Sequence, residues 1–101
     1  MRAVCKKKDD AMIVSLSGEL DHHGAQAIMD KLKACAEDQS VKKLVVDMSK
    51  VTFMDSSGIG ALLGRYKTMV QKKGQMVLKN PSDQIFKLLR MAGIAKLVDM
   101  N

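Results

Sequence analysis

Ile59, Leu62, Leu63, Tyr66, Met69 and Val70 fall at i, i+3, i+4, i+7, i+10 and i+11, one apolar stripe along a helix. Lys67, Lys72 and Lys73 crowd the C-terminal end of that helix, where the backbone dipole favours cations, and Gly74 is placed to stop it. Ala25, Ile28, Met29, Leu32, Cys35 and Ala36 recur at the same period and predict an earlier helix. Ile85, Leu88, Leu89 and Ala92 predict a third, ended by Gly93. Asn80-Pro81-Ser82-Asp83 precedes it and supplies a cap, a proline for the first helical position and an acid for the first turn.

The strands are shorter. Residues 11–17 are rich in β-formers and end at Gly18, and the weaker run 3–7 joins them through Lys8-Asp9-Asp10, which predicts an antiparallel hairpin. Residues 44–48 form an apolar run of the kind buried on both faces of a parallel sheet. Residues 75–79 predict a further strand, and Ile94 with Leu97-Val98 a last short one. The order β-β-α-β-α-β-α-β describes an α/β domain with a mixed sheet and right-handed crossovers. At 101 residues, with one proline, no internal repeats and no low-complexity segments, residues 1–101 read as one domain.

Composition narrows the function classes. A hydrophobic fraction of 47% supplies a core, but no apolar run approaches the ~18–20 residues of a membrane span. Asp9 and Asp10 follow the basic start where an export signal would have its apolar stretch, so the expected location is the cytoplasm, away from membranes. The net charge of +6 comes from lysines scattered in short groups. Aromatics are 3% of residues and Trp is absent, so stacking platforms for single strands are nearly absent, and no direct nucleic-acid role is expected. An acidic protein partner accounts for the charge as well. Cys5 and Cys35 are the only cysteines and read as two reduced thiols, Cys35 on the buried side of its helix. With His22 and His23 they are too few for a metal site, and no cofactor is expected. Met12, Met29, Met69, Met76 and Met91 read as core filling.

The chemistry concentrates in Phe53-Met54-Asp55-Ser56-Ser57-Gly58-Ile59-Gly60. This run puts an acid, two hydroxyls and two glycines at the start of the clearest helix. A helix start has unpaired N–H groups and a partial positive charge, so it favours an added anion. A hydroxyl there can serve as a cap, a phosphate acceptor or a nucleophile. Gly58, Gly60 and Gly64 suggest a dinucleotide turn, but about ten residues separate the preceding apolar run from Gly58, so the glycines read instead as allowing tight backbone packing. Ser56 or Ser57 with His22 or His23 and Asp21 or Asp55 has the residue types of a hydrolase triad. Met54 stands where a nucleophile elbow needs its first glycine, which argues against that chemistry.

Gly18-Glu19-Leu20-Asp21-His22-His23-Gly24 also runs from a strand end into a helix, with Asp21 as the expected cap. Both loops lie at the strand edge where α/β sheets gather binding surfaces, and the two are expected to form one surface. An alternative use of the Ser56–Gly60 helix start is to hold a nucleotide or phosphate ligand.

These two segments, with Gly64-Arg65-Tyr66-Lys67, resemble the STAS-domain anti-sigma factor antagonists over nearly the whole chain. The sporulation members are nearest in pattern. The resemblance implies a non-enzymatic partner switch. The unmodified protein would bind an anti-sigma factor and free a sigma factor. The anti-sigma factor, also a serine kinase, would phosphorylate the antagonist, and a serine phosphatase would restore it. The position carried over for the phosphate is Ser56; Ser57 is the adjacent alternative, and only family position separates them. Asp21, Asp55, Ser56, Ser57, Gly58 and Ile59 would form the partner-binding surface.

Overall fold

The computed structural model describes residues 1–101. Its elements run β1 (Arg2–Lys8), β2 (Ala11–Leu20), α1 (His22–Glu37), β3 (Lys43–Met54), α2 (Ser56–Gln71), β4 (Gln75–Lys79), α3 (Asp83–Met91) and β5 (Asp99–Met100), with a 3-10 turn at Ile94–Lys96 before β5. The expected α/β order is therefore observed. The five strands lie in sequence order, β1 antiparallel to β2 and every later pair parallel.

Val14 and Leu16, Leu44, Val46 and Met48, and Met76 and Leu78 alternate along their strands and join residues of all three helices in one buried core. The opposite sheet face is less covered. Ile13, Val45 and Val77 form a cross-strand row there; Val77 is buried but outside the core, while the other two are half-buried. The expectation that residues 44–48 are buried on both faces holds only for the face packed by the helices.

Both central strands run further than their apolar runs suggest. β2 passes through Gly18, which has φ +108°, and β3 continues past Met48 to Met54. Two register shifts lie in this stretch, between Ser15 and Ser17 and between Gly18 and Glu19. From the pair Ser15–Asp47 to the pair Leu20–Met54, β2 advances five residues and β3 seven. Bulges of this kind unpair the extra residues and break the period of two, which hides the strand from a pattern search.

Helix α2 buries Gly58, Ala61, Leu62, Arg65 and Met69, a stripe turned from the expected one. Val70 is half exposed, and Arg65 takes the central place that the pattern gave to Tyr66. Small residues at 58 and 61 let the helix sit close to the sheet, and a search weighted by large apolar side chains misses that face. At the far end Lys73, not a glycine, adopts the left-handed conformation (φ +59°), and the Gly74 N–H donates to the Met69 carbonyl at 2.7 Å. Gly74 is needed because a Cβ there would stand 2.7 Å from the Lys42 carbonyl oxygen.

Helix α3 begins two residues later than its proline suggested. Ser82 is the cap, its hydroxyl accepting from the Ile85 N–H at 3.2 Å, and Asp83 is the first helical residue, so Pro81 precedes the cap. Ala92 ends that helix and is exposed. The last strand is Asp99–Met100; Ile94 instead starts the 3-10 turn and Leu97 is half exposed. Met69 and Met76 are buried and Met12 and Met29 partly so, but Met91 is 79% exposed and fills no core.

Candidate functional site

The site lies where β2 and β3 end side by side. Leu20 pairs with Met54, and each strand hands directly to a helix through an aspartate, Asp21 into α1 and Asp55 into α2. Both aspartates have extended backbones and both cap. Asp21 Oδ1 accepts from the Gly24 N–H at 2.8 Å. Asp55 Oδ1 accepts from the Ser57 N–H at 2.9 Å and the Gly58 N–H at 3.3 Å. Each carboxylate thus satisfies donors that the helix leaves unpaired and sits against its positive end. The cap of α2 is thus the Asp55 carboxylate and not the hydroxyl of Ser56 or Ser57.

The glycines three residues on complete the pair. A Cβ on Gly24 would stand 2.1 Å from the Glu19 carbonyl oxygen, and one on Gly58 would stand 2.4 Å from that of Leu20. Only a residue without a side chain lets α1 start that close to its own strand β2, and α2 that close to the end of the same strand beside it. Asp-X-X-Gly therefore occurs twice, at 21–24 and 55–58, each time with the aspartate accepting from the glycine N–H and the glycine pressed against a β2 carbonyl. The repeat is four residues long, and reading the chain as free of repeats passed over it. Gly24 was not among the expected site residues; its signal was this recurrence.

Ser56, the first residue of α2, is exposed, while Ser57 and Ile59 are half-buried and Gly58 is buried. His22 and His23 open α1, both exposed, with ring centroids 6.1 Å apart. Phe53 is 48% exposed at the end of β3, a large apolar side chain beside the Asp55 turn. The two loops thus meet at one sheet edge, as their sequence positions suggested.

Three expectations change. Since β3 runs to Met54, the gap that argued against a dinucleotide turn does not exist. Tight packing, expected of all three glycines, holds for Gly58 alone, because a Cβ on Gly60 or Gly64 would meet nothing within 4 Å. The helix start also has fewer free donors than the sequence suggested. Asp55 holds the N–H groups of Ser57 and Gly58, and the Ile59 N–H donates to the Asp55 carbonyl at 3.1 Å. A second anion there would have to displace a carboxylate already in place. Arg65 lies away from this edge. Its guanidinium is buried against α1, donates to Met29 Sδ at 2.9 Å, leaves Nε unpartnered, and has its pKa lowered by burial. No group of three or more His, Cys, Asp or Glu side chains stands close enough to hold a metal ion.

Two parallel strands ending in capped helix starts, with an exposed serine just behind one cap, define a small α/β recognition domain. Residues 2–101 match the STAS domain, and the chain belongs to that family. The Paenibacillus polymyxa anti-sigma F factor antagonist is 37% identical over 87 residues, covering 86% of this chain and 74% of that protein. The corresponding antagonist of Lysinibacillus sphaericus is 33% identical, covering 84% and 73%. Among solved structures, the anti-sigma factor antagonist SpoIIAA in its unphosphorylated form superimposes with a TM-score of 0.78 at 27% identity, over 99% of this chain and 87% of that one. The phosphorylated form from Bacillus gives the same TM-score and identity. No helix is long and apolar enough to cross a membrane.

Proposed function

We propose that this chain is an anti-sigma factor antagonist that binds an anti-sigma factor with serine kinase activity, is switched off by phosphorylation at Ser56, and is restored by a serine phosphatase. The observation that carries this reading is the exposure of Ser56 immediately after a cap that is already occupied. Its hydroxyl is not needed to start the helix, so a kinase can take it without unfolding the turn. The membership of the STAS family, the anti-sigma F antagonists among its relatives and the phosphorylated structural neighbour support the same reading.

The partner surface comprises Asp21, Asp55, Ser56, Ser57 and Ile59, with Phe53 as an apolar contact beside them. Gly58 acts from beneath by holding α2 close to Leu20. A phosphate on Ser56 adds ~1.5–2 negative charges at neutral pH. Because Asp55 keeps the nearest donors, that charge projects outward instead of being absorbed by the helix start. It joins Asp55 and Asp21 in an acidic edge that repels an acidic or apolar partner surface, with no large change of shape. The competing use of Ser56–Gly60 as a ligand-phosphate site is disfavoured by the same carboxylate.

Incubating the chain with an anti-sigma F factor and ATP tests the proposal, read by mass spectrometry of the intact protein and its peptides. One added phosphate on Ser56, lost in Ser56→Ala while binding of the anti-sigma factor persists, is expected. No incorporation, or incorporation only on Ser57, would overturn the Ser56 assignment.

A further inference from the structure

Cys5 and Cys35 have no part in that switch, yet the fold brings them together. Cys5 lies on the edge strand β1 and Cys35 in the last turn of α1. Their sulfurs are 3.0 Å apart, with the Cys35 thiol donating to Cys5 Sγ. Both are free thiols, the separation being well beyond the ~2.0 Å of a disulfide.

We propose that Cys5 and Cys35 form an oxidisable dithiol, which a peroxide converts to a disulfide tying β1 to the end of α1. The two sulfurs differ in the way such a reaction needs. Cys5 is half-buried and lines a groove of about 410 Å³ between β1 and α1, together with Met1, Ala3, Ile28 and Lys31. Lys31 is held at that groove by donating to the Ala3 carbonyl at 3.0 Å. Cys5 is thus the sulfur that a peroxide can reach, and it already accepts a hydrogen bond from its partner thiol. Cys35 is buried, and burial, reinforced by its hydrogen bond to Cys5, pushes its pKa up to about 12. It therefore stays a protonated thiol in wait as the resolving group.

The steps balance. The Cys5 thiol and hydrogen peroxide give a sulfenic acid and one water as the O–O bond breaks. Cys35 sulfur then attacks the Cys5 sulfur, the S–S bond forms, and the hydroxyl leaves with the Cys35 proton as a second water. Two thiols lose two electrons and two protons in all, and the peroxide is reduced. β1 pairs with the rest of the sheet along one side only, through β2, so a covalent tie to α1 secures an edge that frays first.

The test uses the full chain, reduced, desalted and exposed to a small excess of hydrogen peroxide. Intact mass should fall by two hydrogens, and trypsin should release the peptide 3–6 joined to the peptide 34–42. Cys5→Ser and Cys35→Ser should each abolish the joined peptide. The melting temperature of the oxidised wild type should rise by on the order of 10 °C and return with reductant. A stable sulfinic acid on Cys5 with Cys35 still free, a disulfide only between two chains, or a lower melting temperature on oxidation would each overturn the proposal. The mass and peptide readings need only the wild-type chain, so they stand even if a variant does not fold.

Discussion

Leu20 and Met54 face each other as the last paired residues of β2 and β3, and the Leu20 carbonyl also accepts the Asp55 N–H at 3.4 Å. That alignment brings the two Asp-X-X-Gly turns level. It also makes Leu20 the backbone against which α2 begins, since the same carbonyl oxygen is what a side chain at Gly58 would strike.

Substituting glycines of one helix should therefore have opposite effects. Gly58→Ala should cost about 3 kcal/mol, because backbone must move to admit the Cβ. Gly60→Ala, two residues on with open space around it, should gain roughly 0.5–1 kcal/mol from the better helix former. Urea unfolding of the two variants beside wild type separates them; equal effects would mean that the approach to Leu20 is not tight.

At the neighbouring cap, Asp55→Ala should destabilise by about 1 kcal/mol, since the N–H groups of Ser57 and Gly58 lose their acceptor. Asp55→Asn keeps an acceptor in place and should lie within a few tenths of wild type. Comparing the pair by thermal melting and by partner titration divides the cap from the charge. Weak partner binding by the stable Asn variant would assign the carboxylate to recognition.

Ser56→Asp places a charge just outside that cap. The fold should change by no more than ~0.5 kcal/mol, the helix dipole offsetting repulsion from Asp55. Affinity for the anti-sigma factor should fall on the order of tenfold, ~1.4 kcal/mol. Calorimetric titration reads this directly, and wild-type affinity in the Asp variant would shift the explanation from charge to the bulk of the phosphate.

Away from the site, Asp38 predicts a pH dependence. Its carboxylate accepts from the Ser40 hydroxyl at 2.6 Å and the Ser40 N–H at 2.9 Å, and these bonds lower its pKa from the ordinary 3.8. A group depressed by folding adds stability above its unfolded pKa and loses it as pH falls through the folded value. The stability difference between wild type and Asp38→Asn should accordingly shrink as pH drops below about 4. Urea midpoints across that range give the measurement, and a constant difference would refute the assignment.

What the sequence conceals follows one physical pattern. α1 was legible because its apolar residues keep the period of a helix, and Asp21 was legible as its cap. The ends of β2 and β3 were not, because Gly18 and the run 48–54 carry the bulges that interrupt alternation. The edge on which Ser56 sits could be inferred from its loops, but not the engagement of Asp55 with two N–H groups, which is a matter of geometry. Arg65 was hidden for a different reason. A stripe traced through large apolar side chains excludes a buried cation by construction, and small neighbours at 58 and 61 turn that face inward.

The two bulges make the site depend on counting as much as on chemistry. Removing one residue between Asp47 and Met54 would slide Asp55 by ~3.3 Å along β2 and turn the following side chains to the other face. Each aspartate could still cap its own helix, and each helix could still fold, but the two turns would no longer stand abreast. The surface is thus protected by the length of the strands beneath it, and point changes at the exposed Ser49, Lys50 and Thr52 should be borne far better than a single deletion.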